Sequence, residues 1–375
     1  MNYLLIPDKF KDCLTSEEVI TSIKKGIVKN DKSAIFEEVL ISDGGDGFLS
    51  SIEKILNLKI VKLKGKDSLR REVETYYLIC KDNKTAYIEL ANSSGISKLK
   101  ESERNPMHTS TFGTGIEIND AMNKGVNRIV IGIGGSSTND LGLGLISALG
   151  VTFLNKDNGE IIPSGSNLND IVKINFPKSI NKKISKIEWV VINDVNNITF
   201  GENGCAKIYG AQKGANNNEI EKLETGGINV HKILKNHFKK DCSNIKGSGA
   251  AGGTGYGLKL FTNCKFINGI DFIFKYSGLD EKLKKTKYDY VISGEGQIDN
   301  QTFNGKAIDT IIKKIQKYKI PIILICGRSL IDFIDSNVEA ILAIDSKSNR
   351  KNKLFDDADK FIEEDIYEYF KALWK

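Results

Sequence analysis

Five polar, glycine-bearing segments hold the side chains of this chain best suited to chemistry. They are Pro7-Asp8-Lys9-Phe10-Lys11, Asp43-Gly44-Gly45-Asp46-Gly47, Gly134-Gly135-Ser136-Ser137-Thr138-Asn139-Asp140, Gly247-Ser248-Gly249-Ala250-Ala251-Gly252-Gly253 and Gly294-Glu295-Gly296-Gln297-Ile298-Asp299. Each stands at the end of an apolar run and carries a residue able to handle phosphate or metal. Glycine lets backbone come close to a ligand. A helix that starts just beyond such a loop aims free N–H groups and a positive dipole end at a bound anion. One loop of this kind is ordinary. Five in 375 residues imply a cleft built from several loops around a nucleotide and a small anion, which is the pattern of an enzyme.

Each segment also has a plainer reading. Asp43 and Asp46 are either solvated aspartates of a glycine turn or carboxylates for Mg²⁺, which binds through one or two carboxylates plus phosphate oxygens and water. Glu295 and Asp299 carry the same two readings. Gly134 to Asn139 is a run of N–H and hydroxyl donors suited to carboxylate or phosphate, while Asn139 and Asp140 serve equally well as a helix cap. The dinucleotide pattern Gly-x-Gly-x-x-Gly is not met there, and no Gly-x-x-x-x-Gly-Lys-Ser/Thr occurs. Lys9, Lys11, Lys213 and Lys306 lie in or beside glycine-bearing loops; position in a shared cleft would separate them from the many solvated lysines. His231 and His237 lie on a charged helix and are expected at the surface, and neither a Ser–His–Asp set nor a zinc spacing can be read. Phosphoryl transfer suits this inventory, because its catalysis is mostly positioning and charge neutralisation, with one carboxylate able to take a hydroxyl proton.

The elements that must position these loops follow from apolar periodicity. Tyr3–Ile6 reads as a strand. Residues 15–29 read as a helix opened by the capping box Thr15-x-x-Glu18, Phe36–Ile41 as a strand, and Phe48–Leu56 as a helix. Strands at Tyr76–Cys80 and Thr85–Ala91 form a hairpin around Asp82-Asn83. Arg128–Ile133 is a strand, Leu141–Leu149 a helix, Glu188–Ile192 a strand, and Asn218–Phe238 a helix with a weak point at Gly226-Gly227. Alternation then resumes: strand Tyr288–Ile292, helix Lys306–Lys317, strands Pro321–Cys326 and Ala340–Ile344, and a closing helix Phe355–Trp374. Two strands at one end and three at the other are poor sheets alone and a sound five-stranded parallel sheet together. The expected fold is therefore two α/β domains. One is a discontinuous Rossmann-like parallel-sheet domain, residues 1–64 plus 286–375; the other is a mixed α/β domain, 65–285, inserted into it. The active site is expected in the interdomain cleft, since ligands of open α/β sheets sit at the C-terminal strand ends. A tandem order of two domains is the alternative.

Composition narrows the class. Hydrophobic residues at 40% and charged residues at 27% describe a globular protein, and the net charge of +6 is spread over many lysines without a basic stripe. Nucleic acid is not an expected partner. Cysteines 13, 80, 205, 242, 264 and 326 lack C-x-x-C spacing, the usage of reduced thiols. No apolar run approaches the roughly 18 residues of a membrane helix, so no membrane is expected and the protein is placed in the cytoplasm. Oligomeric state is not readable.

Over essentially its whole length the chain resembles the bacterial type I glycerate kinases (glycerate 2-kinases). The motifs are Ile6 to Lys11 followed by Leu14-Thr15-Ser16, Asp43 to Gly47, Thr109-Ser110-Thr111-Phe112-Gly113-Thr114-Gly115, Ile131 to Asp140, Gly210-Ala211-Gln212-Lys213-Gly214-Ala215, Gly247 to Gly257, and Ser293 to Asp299 through Gln301-Thr302 to Gly305-Lys306. Seven motifs in the family's order are highly specific. The resemblance implies ATP- and Mg²⁺-dependent phosphorylation of D-glycerate, usually to 2-phosphoglycerate, on a two-domain α/β fold with the site between the domains. Taken with the loop chemistry, Asp194, Lys11, Lys213 and Lys306 are expected to be catalytic. Asp8, Gly44, Gly45, Gly134, Gly135, Ser136, Ser137, Thr138, Asn139, Gly249, Gly252, Gly253, Gly294 and Thr302 are expected to bind the nucleotide, and Asp43 and Glu295 to hold Mg²⁺. Departures occur at Asp12 and Leu141, where the family usually has Gly, at Asp46, usually Glu, and at Gln297 and His108, usually and often Arg. Two missing arginines remove bidentate partners for an anion, which bears on substrate affinity and identity more than on reaction type. The competing readings are a kinase for a related small hydroxy acid and a catalytically silent nucleotide- or metabolite-binding homologue.

Overall fold

The computed structural model describes residues 1–375 except 11–12, 43, 301, 304–306, 332–336, 348–349, 351–353 and 375. In chain order its strands are β1 Asn2–Leu5, β2 Ile35–Glu38, β3 Leu58–Lys66, β4 Glu72–Cys80, β5 Thr85–Glu89, β6 Arg128–Gly132, β7 Thr152–Leu154, β8 Glu160–Ile161, β9 Lys173–Asn175, β10 Glu188–Ile192, β11 Lys265–Ile267, β12 Tyr290–Ile298, β13 Ile322–Ser329 and β14 Val338–Ala343. Two compact units result: Met1–Ser42 with Gly269–Lys375, and Asp43–Asn268.

The first unit is a five-stranded parallel sheet in the order β14-β13-β12-β1-β2. Its central strands are near-continuous apolar runs, as burial on both faces requires: Leu4, Leu5, Val291, Ile292 and Ile322 to Ile325 are fully buried. Helix Ser16–Val28 starts at the expected capping box, in which Thr15 Oγ1 accepts the Glu18 N–H at 3.3 Å and Glu18 accepts the Thr15 N–H at 2.8 Å. Its stripe Val19, Ile20, Ile23, Ile27 packs in one core with Ile362, Ile366 and Phe370 of helix Ala358–Leu373.

The second unit is built on a six-stranded mixed sheet, β11-β10-β6-β5-β4-β3, in which β11, β10, β6 and β5 run parallel and β4 and β3 complete an antiparallel meander. A small antiparallel sheet, β8-β7-β9, accompanies it. The main core joins Ile88, Ile129, Ile131, Val191, Leu145, Tyr256 and Phe153.

The unit boundaries lie at 42/43 and 268/269, whereas the sequence pattern drew them at 64/65 and 285/286. The difference has local causes. Strand β3, with lysines at 59, 62 and 64 and weak alternation, was not legible as a strand, yet it pairs with β4 along its whole length. Residues 269–285 form two short helices, and Asp271 on one of them pairs with Lys314 at 2.7 Å, within the first unit. Two further expectations are corrected. Helix Asn217–Phe238 runs unbroken through Gly226 and Gly227, both buried, where a Cβ would meet the Leu168 Cβ at 3.1 Å and the Phe200 ring at 2.9 Å. His231 on that helix is largely buried rather than solvated, its Nδ1 3.0 Å from the Tyr256 hydroxyl. Among the described residues no helix is long and apolar enough to cross a membrane.

Candidate active site

In the second unit the parallel strands end in register: Glu89 of β5 stands opposite Gly132 of β6, and Gly132 opposite Ile192 of β10. The loops that leave this row carry most of the expected site residues. The Glu89 carboxylate accepts the N–H groups of Gly47 at 3.2 Å and Leu49 at 2.9 Å, placing negative charge at the start of helix Phe48–Ile55. That contact anchors the glycine loop from Gly44 to Gly47. Glu89 was not singled out in the sequence, although an acid closing the apolar run Thr85–Glu89 was the available signal. The Gly44 carbonyl accepts the Gly134 N–H at 3.0 Å, and a side chain on Gly134 would meet the Gly45 Cα at 2.6 Å, so the two glycine loops lie backbone against backbone.

The loop after β6 is held from several sides. Ser137 donates its N–H and its hydroxyl to the Ser94 carbonyl, both at 2.9 Å, and its own carbonyl accepts the Thr109 hydroxyl at 2.9 Å. The Gly135 carbonyl accepts the Ile96 N–H at 2.9 Å. Asp140 is fully buried, and its carboxylate receives Thr111 N–H at 2.8 Å, Thr111 Oγ1 at 2.8 Å, Ser110 Oγ at 3.4 Å, Gly142 N–H at 3.1 Å and Gly144 N–H at 3.2 Å. Burial raises its pKa while those donors favour the charged form. Of the two readings open for Asp140, the helix-cap one is what the geometry realises, extended to the start of helix Phe112–Asn123. Helix Leu143–Ala148 begins two residues later than the pattern suggested, because Leu141 (φ 57°) and Gly142 (φ 71°) are left-handed. Leu141 is thus a bulky residue in a conformation that disfavours it.

The segment Gly247 to Gly253 packs against this same loop. Ala251, Gly252 and Gly253 are consecutively left-handed, and a Cβ on Gly252 would fall 1.9 Å from the Thr138 carbonyl oxygen, so this position requires glycine. The Gly252 carbonyl accepts the Leu141 N–H at 3.1 Å, and the Gly249 N–H goes to Asn197 at 2.9 Å.

Lys213 completes the group. It sits in the turn Ala211–Lys213, is 4% exposed, and donates from Nζ to Ser136 Oγ and to the Thr138 carbonyl, both at 2.7 Å. Burial pulls its pKa down to about 8. Thr138 Oγ1 and Asn139 Nδ2 are buried with no hydrogen-bond partner, and Asn139 Oδ1 lies 3.5 Å from the Cys205 thiol. Asp194 follows β10 and is partly exposed, next to the turn in which Asn193 Oδ1 accepts the Val195 N–H.

In the first unit the Asp8 N–H donates to the Gly294 carbonyl at 2.8 Å, and Asp8 Oδ1 accepts the Lys9 N–H at 2.7 Å. Gly294 lies so close to β13 that a Cβ would stand 1.8 Å from the Ile325 carbonyl oxygen. Residues 294 to 298, read as a loop from the sequence, continue strand β12, where Glu295 pairs in register with Cys326. Thr302 is buried and exchanges hydrogen bonds with Asp299, at 3.1 Å and 3.2 Å. Lys11, Asp43 and Lys306 lie outside the described residues. The structure thus brings Gly44, Gly45, Gly134 to Asn139, Lys213, Gly249, Gly252 and Gly253 into one group of loops, and Asp8, Gly294 and Glu295 into another.

The chain matches the description "Glycerate kinase family" over residues 3–374. It is 38% identical over 331 residues to a glycerate kinase of Halalkalibacterium halodurans, covering 87% of this chain and 86% of that one. It is 32% identical to a glycerate 2-kinase of Escherichia coli K12, covering 87% and 85%. Its fold superposes with a TM-score of 0.81 on a crystal structure from Salmonella typhimurium LT2 assigned as glycerate kinase 2, at 29% identity and covering 100% of this chain and 98% of that one.

Proposed function

Because the chain belongs to the glycerate kinase family, we propose that it transfers the γ-phosphoryl group of ATP to the 2-hydroxyl of D-glycerate, giving 2-phosphoglycerate and ADP. The observation that carries the reading is the extent of the match, residues 3–374, which takes in every loop of both groups. In the transfer the substrate oxygen attacks the γ-phosphorus, the bond to the β,γ-bridging oxygen breaks, and the hydroxyl proton leaves. We assign that proton to Asp194, a carboxylate at the C-terminal end of β10. Lys213, with Lys11 and Lys306, supplies positive charge toward the reacting anions. The donors of the Ser136 to Asn139 loop and the glycines packed on it orient phosphate or carboxylate oxygens.

Mg²⁺ fits the donor set. Among the described residues no group of three potential ligands is present, and Mg²⁺ in such enzymes needs one or two carboxylates, with phosphate and water completing the shell. Asp43 and Glu295, the latter on β12, are the residues we assign to it. When bound, the ion neutralises charge on the nucleotide phosphates.

A coupled ADP-release assay with ATP, Mg²⁺ and a panel of C3–C4 hydroxy acids tests the reading. The highest kcat/KM is expected with D-glycerate. A folded sample that releases no ADP above blank with D-glycerate overturns it, and a higher kcat/KM with another acid moves the substrate to that acid.

A further inference from the structure

A buried ammonium normally has a carboxylate beside it, since an isolated charge in a low-dielectric interior is costly. Lys213 has none within hydrogen-bond or ion-pair distance among the described residues, and Asp140 acts on it only through space. Its two recorded acceptors, Ser136 Oγ and the Thr138 carbonyl, are neutral. Asp140, the acid on the adjacent loop, has its oxygens occupied by five other donors. The other ionisable groups packed around the site do not supply the missing charge. The Cys205 thiol is pushed up to about 12 by burial and is neutral. Glu224, on the neighbouring helix, accepts the Gly201 N–H at 2.7 Å and has its pKa raised by burial. The neighbouring Arg104 meets Gly214 through its backbone carbonyl.

An ammonium has three N–H donors, and the two recorded bonds leave one. On the same loop the Thr138 hydroxyl and the Asn139 amide are buried donors with no partner. Buried polar groups are almost always satisfied, and each exception calls for a cause. Gly135 and Gln212, neighbours in sequence of Ser136 and Lys213, are exposed, so the group lies close to the surface.

We propose that Lys213, the Thr138 hydroxyl and the Asn139 amide form a subsite for one small carboxylate, that of the hydroxy-acid substrate. The assignment rests on the hydroxy-acid reading of the function. One cation amid neutral donors matches a monoanionic carboxylate; a nucleotide phosphate chain carries several charges and calls for a metal ion and more than one cation. With the carboxylate absent, burial lowers the pKa of the ammonium to about 8, so in more alkaline solution it has given up its proton. With the carboxylate beside it, the opposite charge restores the proton.

Calorimetric titration of the full chain tests this with D-glycerate, glycerol and ADP as separate titrants, each at about pH 7 and about pH 9.5 in buffers of different ionisation enthalpy. D-Glycerate should bind with uptake approaching one proton at the higher pH. Its Kd should rise about tenfold per pH unit above the pKa of the free site. Glycerol, which lacks the carboxylate, should not bind, and ADP should bind without proton uptake. Lys213→Met should weaken D-glycerate by about 10²-fold or more and abolish the pH dependence, while the apo variant melts no lower than wild type because an unpaired buried charge is gone. Proton uptake with ADP in place of D-glycerate, pH-independent D-glycerate binding, no D-glycerate binding at all, or a lowered melting temperature in Lys213→Met overturns the subsite. Proton-coupled carboxylate binding without turnover overturns the kinase reading and leaves the subsite standing.

Discussion

Among the described residues, two buried cations stand in opposite circumstances. Arg350, in the first unit, is 2% exposed and meets Asp365 at 2.6 Å and Glu364 at 2.8 Å, with its guanidinium 4.5 Å from the Phe361 ring centroid. Desolvation pulls its pKa down, but the Asp365 and Glu364 contacts outweigh it and the net shift is upward. Lys213, in the second unit, is as deeply buried, has neutral acceptors, and its pKa falls to about 8. The first charge is neutralised within the fold and ties helix Ala358–Leu373 to the segment before it. The second is left for something the fold does not contain. A buried charge with its partners present is an argument about stability; one without them is an argument about a ligand.

Substitution should separate the two. The largest effect is expected from Lys213→Met on activity, a loss of about 10²-fold or more in kcat/KM for D-glycerate, with thermal stability held or raised. Arg350→Met should do the reverse. It leaves Asp365 and Glu364 without the guanidinium, and denaturant unfolding should show a loss of about 2–3 kcal/mol, below the full cost of breaking a buried pair because Glu364 is half-exposed and Lys347 still reaches Asp365. KM should hardly change. If both variants lose stability alike with parallel loss of activity, the contrast fails.

Much of the frame around these residues was legible in the sequence. The central strands β1, β12 and β13 of the first unit are apolar runs bounded by glycine, proline and charge, and the Thr15–Glu18 capping box marks its helix correctly. The loop after β6 and the segment from Gly247 stood out because glycine and hydroxyl donors cluster there. What could not be read was non-local. Nothing in Gly210 to Ala215 distinguishes Lys213 from a solvated lysine; its burial is imposed by Ser136 and Thr138, far away in sequence. Strand β3 lacked a pattern because it is an edge strand with exposed lysines. Residues 294 to 298 looked like a loop because glycine interrupts the apolar run, and Gly294 is there for close packing on β13.

Glu117 sharpens the contrast from the acidic side. It is fully buried, accepts the Thr75 hydroxyl at 2.5 Å, and burial raises its pKa to about 8. It is therefore a neutral carboxyl at pH 7. Its folded pKa exceeds the unfolded value, so its stabilisation is complete below the unfolded pKa and declines as pH rises toward about 8. Lys213 behaves oppositely: its folded pKa is depressed, the unfolded chain binds the extra proton between about 8 and the ordinary lysine value, and apo stability rises with pH across that window. Glu117→Gln should change stability at pH 7 by less than about 1 kcal/mol and flatten the lower window, while Lys213→Met flattens the upper one. Unfolding free energies measured across pH check both, and slopes of the opposite sign would refute them. The smallest effect is expected from Lys239→Met, an exposed position after helix Asn217–Phe238, where kcat/KM and stability should stay within error of wild type.

Phosphorus NMR of the reaction with D-glycerate, ATP and Mg²⁺ identifies which hydroxyl receives the phosphoryl group. A 2-phosphoglycerate resonance should grow in step with ADP. A 3-phosphoglycerate resonance in its place, or no new phosphoester while the protein remains folded, would contradict it.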